Sequence, residues 1–386
     1  MKKFLALILA VMMMALVVTS CSGGDSTDES NGGTDGSIKI GVLAPLTGDV
    51  SVYGNAAVNG INLAVKEINA NGGVLGQQIE LVTLDEKGDV NEAMTAFNNL
   101  ASQGVVAVIG DVTTKPCIAV SELAQEIGMP MLTPTGTGPE ITEAGDYVFR
   151  TCFTDTYQGT IMAEFSSENL GIKTVAVMTN NSDDYSRGVS DEFIAKCEEN
   201  GIEVVAQEGY GSTDQDFNAQ VTKIASLNPD ALFIPDYYNT VALIVEQART
   251  AGYNNTIMGV DGWDGVLDVI GEDKLSLVDG CYFCSHYSPD STDEKVVTFV
   301  DAYETEYNGE VPKSFAALGY DSAYMMAQAI EEAGSTDPEA IKDALTSISF
   351  SGVTGDITLD ENRNPIKDVA IIKLENGEAH FETTVK

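Results

Sequence analysis

The sequence predicts an α/β protein made of two similar doubly wound parallel-sheet lobes, joined by a hinge, with a ligand cleft between them. Strand-like and helix-like segments alternate with short connections, which is the pattern of βαβ crossovers and parallel sheets. The same plan occurs twice, from residue 38 and again from residue 174. Strand-like runs such as 105–109, VVAVI, are apolar throughout, as expected of sheets buried on both faces.

The first copy of the plan begins with the apolar run 38–44. A polar turn then leads into a helix at 56–68, where apolar residues recur at helical spacing. The sequence Asn71-Gly72-Gly73 ends this helix. The remaining elements predicted in this copy are a strand at 79–84, a helix at 91–100 and a strand at 105–109.

The second copy begins with a strand at 174–178, and a polar turn containing Tyr185-Ser186 follows. A helix is predicted at 188–198 and ends at Asn200-Gly201. The later elements predicted are a strand at 202–206, a helix at 216–225 and a strand at 231–234.

Polar turns follow the predicted strands of both copies. In open parallel sheets, ligands bind beyond the carboxyl ends of the strands. If the two lobes face each other, both sets of turns line one cleft. The turns are 45–53, 111–114, 133–137, 179–185 and 236–238.

The N-terminus predicts export. Lys2 and Lys3 precede the apolar run 4–18, so residues 1–20 have the order of a secretory signal. Val18-Thr19-Ser20-Cys21 resembles a bacterial lipoprotein box, in which Cys21 becomes the lipid-bearing first residue; plain secretion is the alternative. Residues 22–37, SGGDSTDESNGGTDGS, have the composition of a flexible tether. We expect a lipid anchor at the outer face of the bacterial cytoplasmic membrane.

Charge and cysteine content exclude several classes of protein. Acidic residues outnumber basic ones by 59 to 20, and a nucleic-acid-binding protein would need a basic stripe. We expect a monomer. Besides Cys21 there are five cysteines, an odd number that cannot all pair within one chain. Two of them form a C-x-x-C at 281–284, but this lies in a strand-like run, whereas a redox C-x-x-C normally opens a helix.

The loop 130–142, PMLTPTGTGPEIT, places small hydroxyls and glycines at the end of a predicted strand, as an anion-binding loop does. It is not a nucleotide loop, because Gly-Lys is absent from the chain and Ile141 occupies the third glycine position of the dinucleotide fingerprint. The chain has two histidines, His286 and His380, no G-x-S-x-G elbow and no zinc-ligand spacing. We therefore predict a binding protein without enzyme activity, cofactor or metal.

A zwitterionic amino acid matches the residues at the strand ends. Thr114, Thr135 and Thr137 can hold its carboxylate with hydroxyl and backbone N–H groups. Its ammonium needs a buried counter-charge, which Asp261 can supply after a short strand. Taken alone, each residue is also compatible with an ordinary turn, cap or packing role. The aromatic walls for its side chain are Tyr53, Tyr185, Tyr237 and Tyr320.

Several longer segments together are more specific than any single motif: IKIGVLAPLTGDVSVYG (38–54), GINLAVKEINANGGVLG (60–76), VVAVIGDVTT (105–114), MPMLTPTGTGPEIT (129–142), FRTCFTDTYQG (149–159), ARTAG (248–252) and GYDSAYMMAQAIEEAG (319–334). With these segments the chain resembles the branched-chain amino acid binding proteins of ABC importers, which have the type I periplasmic binding protein fold. The resemblance extends from about residue 38 to about residue 379.

The resemblance implies a set of ligand contacts. In the family, a loop matching 134–137 and a hydroxyl residue matching Thr114 hold the ligand carboxylate, and an acidic residue matching Asp261 holds the ammonium. Asp261 departs from the frequent Glu by one methylene, Thr135-Gly136 replaces two alanines, and Thr113 stands where some relatives have a disulfide cysteine. The ligand-binding residues implied are Tyr53, Thr114, Thr135, Gly136, Thr137, Asp155, Tyr185, Tyr237, Asp261 and Tyr320.

The resemblance also divides the chain. After the signal peptide at 1–20 and the lipidated tether at 21–37, which the residues themselves predict, we expect a first lobe of 38–154 plus about 286–370 and a second lobe of 155–285 plus about 371–386. The lobes would close on the amino acid by a hinge movement and deliver it to an ABC permease and ATPase. The alternative is a ligand-sensing extracytoplasmic subunit of a signalling system. Either function requires a gap between the lobes that is wide enough for a metabolite.

Overall fold

The computed structural model describes residues 36–385. The predicted signal segment 1–20 and Cys21 lie outside the described residues, as does the predicted tether up to residue 35. Within residues 36–385, no helix is both long enough and apolar enough to cross a membrane.

The first lobe is built on five parallel strands: β1 (Ile38–Ala44), β2 (Ile79–Asp85), β3 (Ala107–Ile109), β4 (Met131–Thr133) and β5 (Val148–Arg150). Their order in the sheet is β2-β1-β3-β4-β5. Ile40 of β1 therefore pairs with Leu81 on one side and with Ala107 on the other. Because the strand order reverses at β1, connecting helices cover both faces, and the crevice beyond β1 and β3 becomes a ligand position.

Four helices connect these strands: α1 (Ser51–Ala70), α2 (Val90–Ser102), α3 (Thr114–Ile127) and α4 (Glu140–Glu143). Local side chains determine where they begin and end. Asp89 caps α2 by accepting hydrogen bonds from the N–H groups of Asn91 and Glu92. Gly128 ends α3 in the left-handed conformation, with φ 68°, which glycine adopts without steric cost.

The second lobe starts with α5 (Asp155–Glu168) and continues through alternating elements: β6 (Thr174–Asn180), α6 (Asp184–Glu199), β7 (Glu203–Tyr210), α7 (Asn218–Leu227), β8 (Ala231–Phe233), α8 (Tyr238–Thr250), β9 (Thr256–Gly259), α9 (Val266–Val269) and β10 (Cys281–Ser285). The helix predicted at 188–198 begins earlier, because Asp183 caps it by accepting from the N–H of Ser186. Tyr185 and Ser186 therefore belong to the first turn of α6 rather than to a loop.

The chain then returns to the first lobe through α10 (Glu294–Glu306), α11 (Ser314–Ala333) and α12 (Pro338–Thr346). Helix α11 packs against α1 with a glycine from each helix at the contact. A Cβ at Gly60 would lie 1.9 Å from the carbonyl oxygen of Ala316, and a Cβ at Gly319 would lie 2.2 Å from that of Ala57. Only the absence of both side chains allows the two backbones to approach so closely.

Three short strands follow, β11 (Ser349–Gly352), β12 (Gly355–Leu359) and β13 (Pro365–Ile366), and they form a small antiparallel sheet. The last strands, β14 (Val369–Glu375) and β15 (Glu378–Val385), join the second lobe. Its sheet then has the order β15-β14-β10-β9-β8-β6-β7, with an antiparallel edge formed by β14 and β15. An antiparallel edge on a parallel sheet is common in doubly wound folds.

The chain crosses between the lobes after β5, after β10 and before β14, and side chains tie these crossings together. The ring of Phe153 on the first crossing stacks on that of His286 on the second, with centroids 3.7 Å apart. On the third, the Lys367 ammonium donates to the carbonyl oxygen of Thr151 at 3.3 Å and to the hydroxyl of Thr354 at 2.9 Å. The three crossings are therefore packed against one another rather than independent.

The five cysteines among the described residues are buried and unpaired: Cys117, Cys152, Cys197, Cys281 and Cys284. Burial raises the pKa of the Cys152 and Cys197 thiols to about 12, so they stay protonated. The interpretation of 281–284 as strand rather than helix is confirmed by β10. Residues three apart in a strand point to opposite faces of the sheet, which does not favour a pair.

Candidate functional site

The first-lobe wall of the cleft consists of the loops that follow β3 and β4. Helix α3 begins at Thr114 without a side-chain cap, and because Thr113 and Thr114 line the cavity, the positive end of the helix dipole lies at the cleft. The hydroxyl of Thr114 lies 3.4 Å from that of Thr137, and both side chains are buried. The hydroxyl of Thr135 instead donates to the carbonyl oxygen of Val112 at 2.6 Å. Thr114 and Thr137 thus both line the chamber with their hydroxyls next to each other.

Gly136, which the resemblance implies as a ligand contact, lies outside the lining of the cavity. Its N–H donates to the hydroxyl of Thr133 at 2.8 Å, so it is not free for a ligand carboxylate. A Cβ at this position would come within 2.8 Å of the Cys117 sulfur and the Thr133 hydroxyl. Gly136 is therefore needed for close packing inside the loop, and it does not line the cavity.

A buried arginine supports the same loop from behind. Arg150 is completely buried, and its guanidinium donates to the carbonyl oxygens of Gly136 at 3.1 Å and Gly138 at 2.7 Å. These hydrogen bonds fix the loop after β4, and they place the positive charge of the Arg150 guanidinium beneath it. Sequence reasoning missed Arg150, although a charged residue directly after the apolar pair Val148-Phe149 was a usable signal.

Two buried carboxyl groups lie at the ends of β2 and β3. Glu86 and Asp111 are completely buried, and each has one oxygen without a hydrogen-bond partner among residues 36–385. Burial raises the pKa of Glu86 to about 7, and burial together with the charge of Glu86 raises the pKa of Asp111 well above its usual range. At neutral pH this pair therefore retains a proton, which lowers the negative charge beneath the first-lobe wall.

The second-lobe wall consists of tyrosine rings and one carboxylate. Tyr185 in the first turn of α6 stacks on Tyr237, the N-cap residue of α8, with centroids 5.0 Å apart and planes 4° from parallel. Asp261 follows β9 at the start of a 3-10 helix. The hydroxyl of Tyr185 donates to Asp261 Oδ1 at 2.6 Å and accepts from the N–H of Gly262 at 2.9 Å. These bonds hold the aromatic wall and the carboxylate in one rigid unit.

The other oxygen of Asp261 contacts His286. The ring nitrogen Nε2 lies 3.2 Å from Asp261 Oδ2, and the histidine side chain is completely buried. Burial lowers the pKa of His286 to about 4, so the ring is neutral at physiological pH. Asp261 therefore has no cationic partner within the described part of the chain. The sequence offered no specific signal for His286.

Aromatic side chains also connect the two lobes. The hydroxyl of Tyr53 on α1 donates to the carbonyl oxygen of Gly262 and accepts from the N–H of Tyr238 at 3.2 Å. The ring of Phe315, in the first turn of α11, stacks on Tyr53 with centroids 4.3 Å apart. Nearer the cleft mouth, the hydroxyl of Tyr238 donates to the carbonyl oxygen of Asp49 at 2.7 Å. The lobes therefore touch along one side of the cleft.

The chamber enclosed by the two walls is small. Threonines from the first lobe, Phe315, Tyr185, Tyr237 and Asp261 surround a cavity of about 10 Å³. That volume holds at most one water molecule. The gap is narrower than the amino-acid hypothesis requires, so a ligand enters the chamber only when the lobes separate or the tyrosine rings move.

A larger cavity of about 670 Å³ lies at the cleft mouth, and residues of both lobes line it, including Lys115, Asp183, Asp236 and Tyr237. Burial raises the pKa of Asp236 to about 7, and the Tyr210 hydroxyl donates to it at 2.6 Å. Since Thr113 and Tyr237 line both cavities, the mouth lies next to the chamber.

Six of the ten predicted site residues line the chamber, and the other four lie outside its lining: Tyr53, Gly136, Asp155 and Tyr320. Asp155 is buried behind Thr137, with its N–H donating to the Thr137 carbonyl oxygen at 3.0 Å and its Oδ2 unpartnered among the described residues. Tyr320 lies on the opposite side of α11 from the cleft, where its hydroxyl donates to Glu67 at 2.6 Å. From helix α11 it is Phe315, in the first turn, that lines the chamber.

Comparison with known proteins gives consistent matches over nearly the whole described chain. The family profile described as Periplasmic binding protein matches residues 37–379. The leucine-, isoleucine-, valine-, threonine- and alanine-binding protein of Pseudomonas aeruginosa is 30% identical over 329 residues, which cover 84% of this chain and 86% of that protein.

Solved structures agree in fold. A leucine-binding protein from Thermotoga maritima is 37% identical, with a TM-score of 0.84, covering 90% of this chain and 98% of that one. The branched-chain amino acid transporter substrate-binding protein from Streptococcus pneumoniae, solved in complex with isoleucine, is 36% identical, with a TM-score of 0.84. The match covers 90% of this chain and 99% of the Streptococcus pneumoniae chain.

Proposed function

Because the chain belongs to the periplasmic binding protein family, we propose that it captures an amino acid between its two lobes and delivers it to an ABC importer. The observation that supports this most directly is the buried carboxylate of Asp261. It has no cationic partner among residues 36–385 and lies opposite a wall of uncharged hydroxyls. A zwitterion placed between these walls would supply an ammonium group to Asp261 and a carboxylate to the hydroxyls.

The first wall suits a carboxylate. The hydroxyls of Thr114 and Thr137 and the first turn of α3 can donate hydrogen bonds, and Arg150 adds positive charge behind the loop. Buried hydrogen bonds to a charged group are strong, and they cost much when one partner is missing. The site thus recognises the carboxylate largely without direct contact to a cationic side chain.

The side chain of the ligand is aliphatic in this proposal. The surfaces nearest the two polar walls are the rings of Phe315 and Tyr237 and the side chain of Val112. Burying a branched aliphatic group among them is favourable by about 25 cal/mol per Å² of apolar surface. Two relatives support this class: the Pseudomonas aeruginosa protein is named for leucine, isoleucine, valine, threonine and alanine, and the Streptococcus pneumoniae protein for branched-chain amino acids.

Binding requires the lobes to open and close about the three crossings. We assign residues 38–154 plus about 286–370 to the first lobe and 155–285 plus about 371–386 to the second. Ligand shifts the equilibrium towards the closed form only through contacts that both lobes make with it. The Tyr53 to Gly262 and Tyr238 to Asp49 bonds are contacts that opening must break.

We assign the chain to the extracytoplasmic side of the membrane, held there by a lipid on Cys21. As partners we propose an ABC permease and ATPase that receive the amino acid from a monomeric binding protein. The test for the anchor is metabolic labelling with a fatty acid. Cys21→Ser abolishes the label if the assignment is right and leaves it unchanged if it is wrong.

Titration calorimetry with the purified protein tests the binding function. Leucine, isoleucine, valine, threonine and alanine are compared with glutamate and with 4-methylpentanoate, which has the leucine skeleton without the ammonium group. We expect at least one aliphatic amino acid to bind in preference to glutamate and 4-methylpentanoate. Failure of all five amino acids to bind would reject the proposal.

A further inference from the structure

His286 is placed where it can control the orientation of Asp261. It is the first residue after β10, on the second crossing between the lobes. Its side chain is completely buried, with Nε2 at 3.2 Å from Asp261 Oδ2. The ring also stacks on Phe153 from the first crossing, with centroids 3.7 Å apart and planes 21° from parallel. The imidazole is therefore fixed in the hinge region rather than in the cleft wall.

The hydrogen bond has one possible direction. A carboxylate oxygen can only accept, so the proton of the neutral imidazole must be on Nε2. The other ring nitrogen, Nδ1, is buried and has no hydrogen-bond partner among the described residues. The histidine thus loses hydrogen bonding at one nitrogen while it donates to Asp261 with the other. This cost is a reason to look for a role beyond packing.

Asp261 is held by two donors, one on each oxygen. Tyr185 donates to Oδ1 at 2.6 Å, and His286 lies on the Oδ2 side. Two donors on different oxygens fix the rotation of the carboxylate about its terminal bond, whereas one donor leaves it free to turn. The lone pairs of the Asp261 oxygens that accept from neither donor then keep a fixed direction. An aspartate, which is shorter than a glutamate, needs such a fixed direction to contact an ammonium group.

From this geometry we infer that His286 is a positioning residue that orients Asp261 towards the ammonium group of the bound amino acid. The inference rests on the proposed function. In this role His286 increases the preference for ligands that have an ammonium group over ligands that lack one, and it does so without contacting the ligand. The role is therefore visible only when two such ligands are compared.

The experiment measures the affinity of the full chain for L-leucine and 4-methylpentanoate by calorimetry, with competition against leucine for the weaker ligand. His286→Leu removes the donor, whereas His286→Gln keeps an N–H at a similar reach. His380→Gln is the matched control, because His380 is the other histidine of the chain and its side chain is 43% exposed.

We expect His286→Leu to weaken leucine binding about tenfold or more and to change 4-methylpentanoate binding by less than about threefold. His286→Gln should restore most of the preference, and His380→Gln should match the wild type. If His286→Leu does not fold, His286→Asn replaces it, since its shorter amide does not reach Oδ2.

Equal weakening of both ligands by His286→Leu, or no weakening of either, would overturn the positioning role while the proposed function stands. Failure of the wild type to bind any amino acid would overturn the proposed function, and the inference with it. The wild-type titration therefore separates the two failures.

Discussion

The first-lobe wall of the chamber presents hydroxyl groups and a helix terminus, whereas the second-lobe wall presents tyrosine rings and a carboxylate. Their charges also differ in position. Arg150 lies behind the first wall and reaches the cleft only through the carbonyl groups it holds, while Asp261 lies at the surface of the second. In the proposed function, donors on the first wall would recognise one end of a dipolar ligand, and a direct counter-charge on the second wall would recognise the other.

The largest expected effect is on the second wall. Asp261→Asn removes the counter-charge at nearly constant volume, so a buried ammonium would have no anionic partner. We expect leucine affinity to fall about 100-fold or more, measured by calorimetry. Asp273→Asn, at an exposed position on the same lobe, is the matched control. Unchanged affinity in Asp261→Asn would mean that the two walls do not divide the ligand as described.

The first wall should respond less, because several donors share the carboxylate. Thr137→Val removes one hydroxyl and keeps the shape, so we expect leucine affinity to fall about tenfold. Binding of leucinamide, which has no carboxylate, should change by less than about twofold. The exposed Thr298→Val provides the control. A larger loss for leucinamide than for leucine would place the ammonium at the first wall instead.

Buried acids in both lobes should make the stability of the protein depend on pH. The pKa values of Glu86 in the first lobe and Asp236 in the second are raised to about 7 by burial. Between about pH 4.5 and pH 7, the folded state then binds more protons than the unfolded state. The contribution of these two groups to the free energy of unfolding therefore decreases as pH rises through this range.

Thermal unfolding between pH 5 and pH 8 tests this dependence. Glu86→Gln and Asp236→Asn each remove one titrating group, and each should reduce the loss of Tm across the range by about 2–5 °C. If only one variant flattens the profile, the buried acids of the two lobes are not equivalent. An unchanged slope in both would show that neither carboxyl group titrates in this range.

The smallest effect is expected at Tyr320. Its hydroxyl bonds Glu67 away from the chamber, so Tyr320→Phe should leave leucine affinity within about twofold of the wild type. Phe315→Ala, on the same helix, should reduce it about tenfold because the ring lines the chamber. Similar losses in the two variants would contradict the assignment of the wall to the first turn of α11.

Much of the fold was predictable because it depends on local patterns. Runs such as 38–44 and 105–109 are apolar and short, and Asn71-Gly72-Gly73 ends a helix, whatever the rest of the chain does. The boundaries shifted where a side chain capped an earlier turn, as Asp183 does for α6. The β14–β15 edge was not anticipated, since antiparallel pairing at an edge leaves no distinctive local signal.

The candidate site was predictable in part. Thr114, Thr137 and Asp261 could be named because each follows a recognisable strand, and strand ends in parallel sheets converge. Arg150, Glu86 and His286 could not be assigned roles, because their partners are chosen by packing between distant segments. The choice of Phe315 over Tyr320 likewise depends on which turn of α11 reaches the cleft.

The sequence by itself determined the duplicated α/β plan, the position of the cleft at the strand ends and the kinds of polar group available there. These follow from hydrophobic periodicity and chain direction, which act over a few residues. Only the tertiary structure decided how tightly the lobes meet, which aromatic ring forms the wall and which buried groups hold Asp261 and the threonine loop. Those outcomes depend on the desolvation and hydrogen-bond geometry of residues far apart in the chain, which no local pattern records.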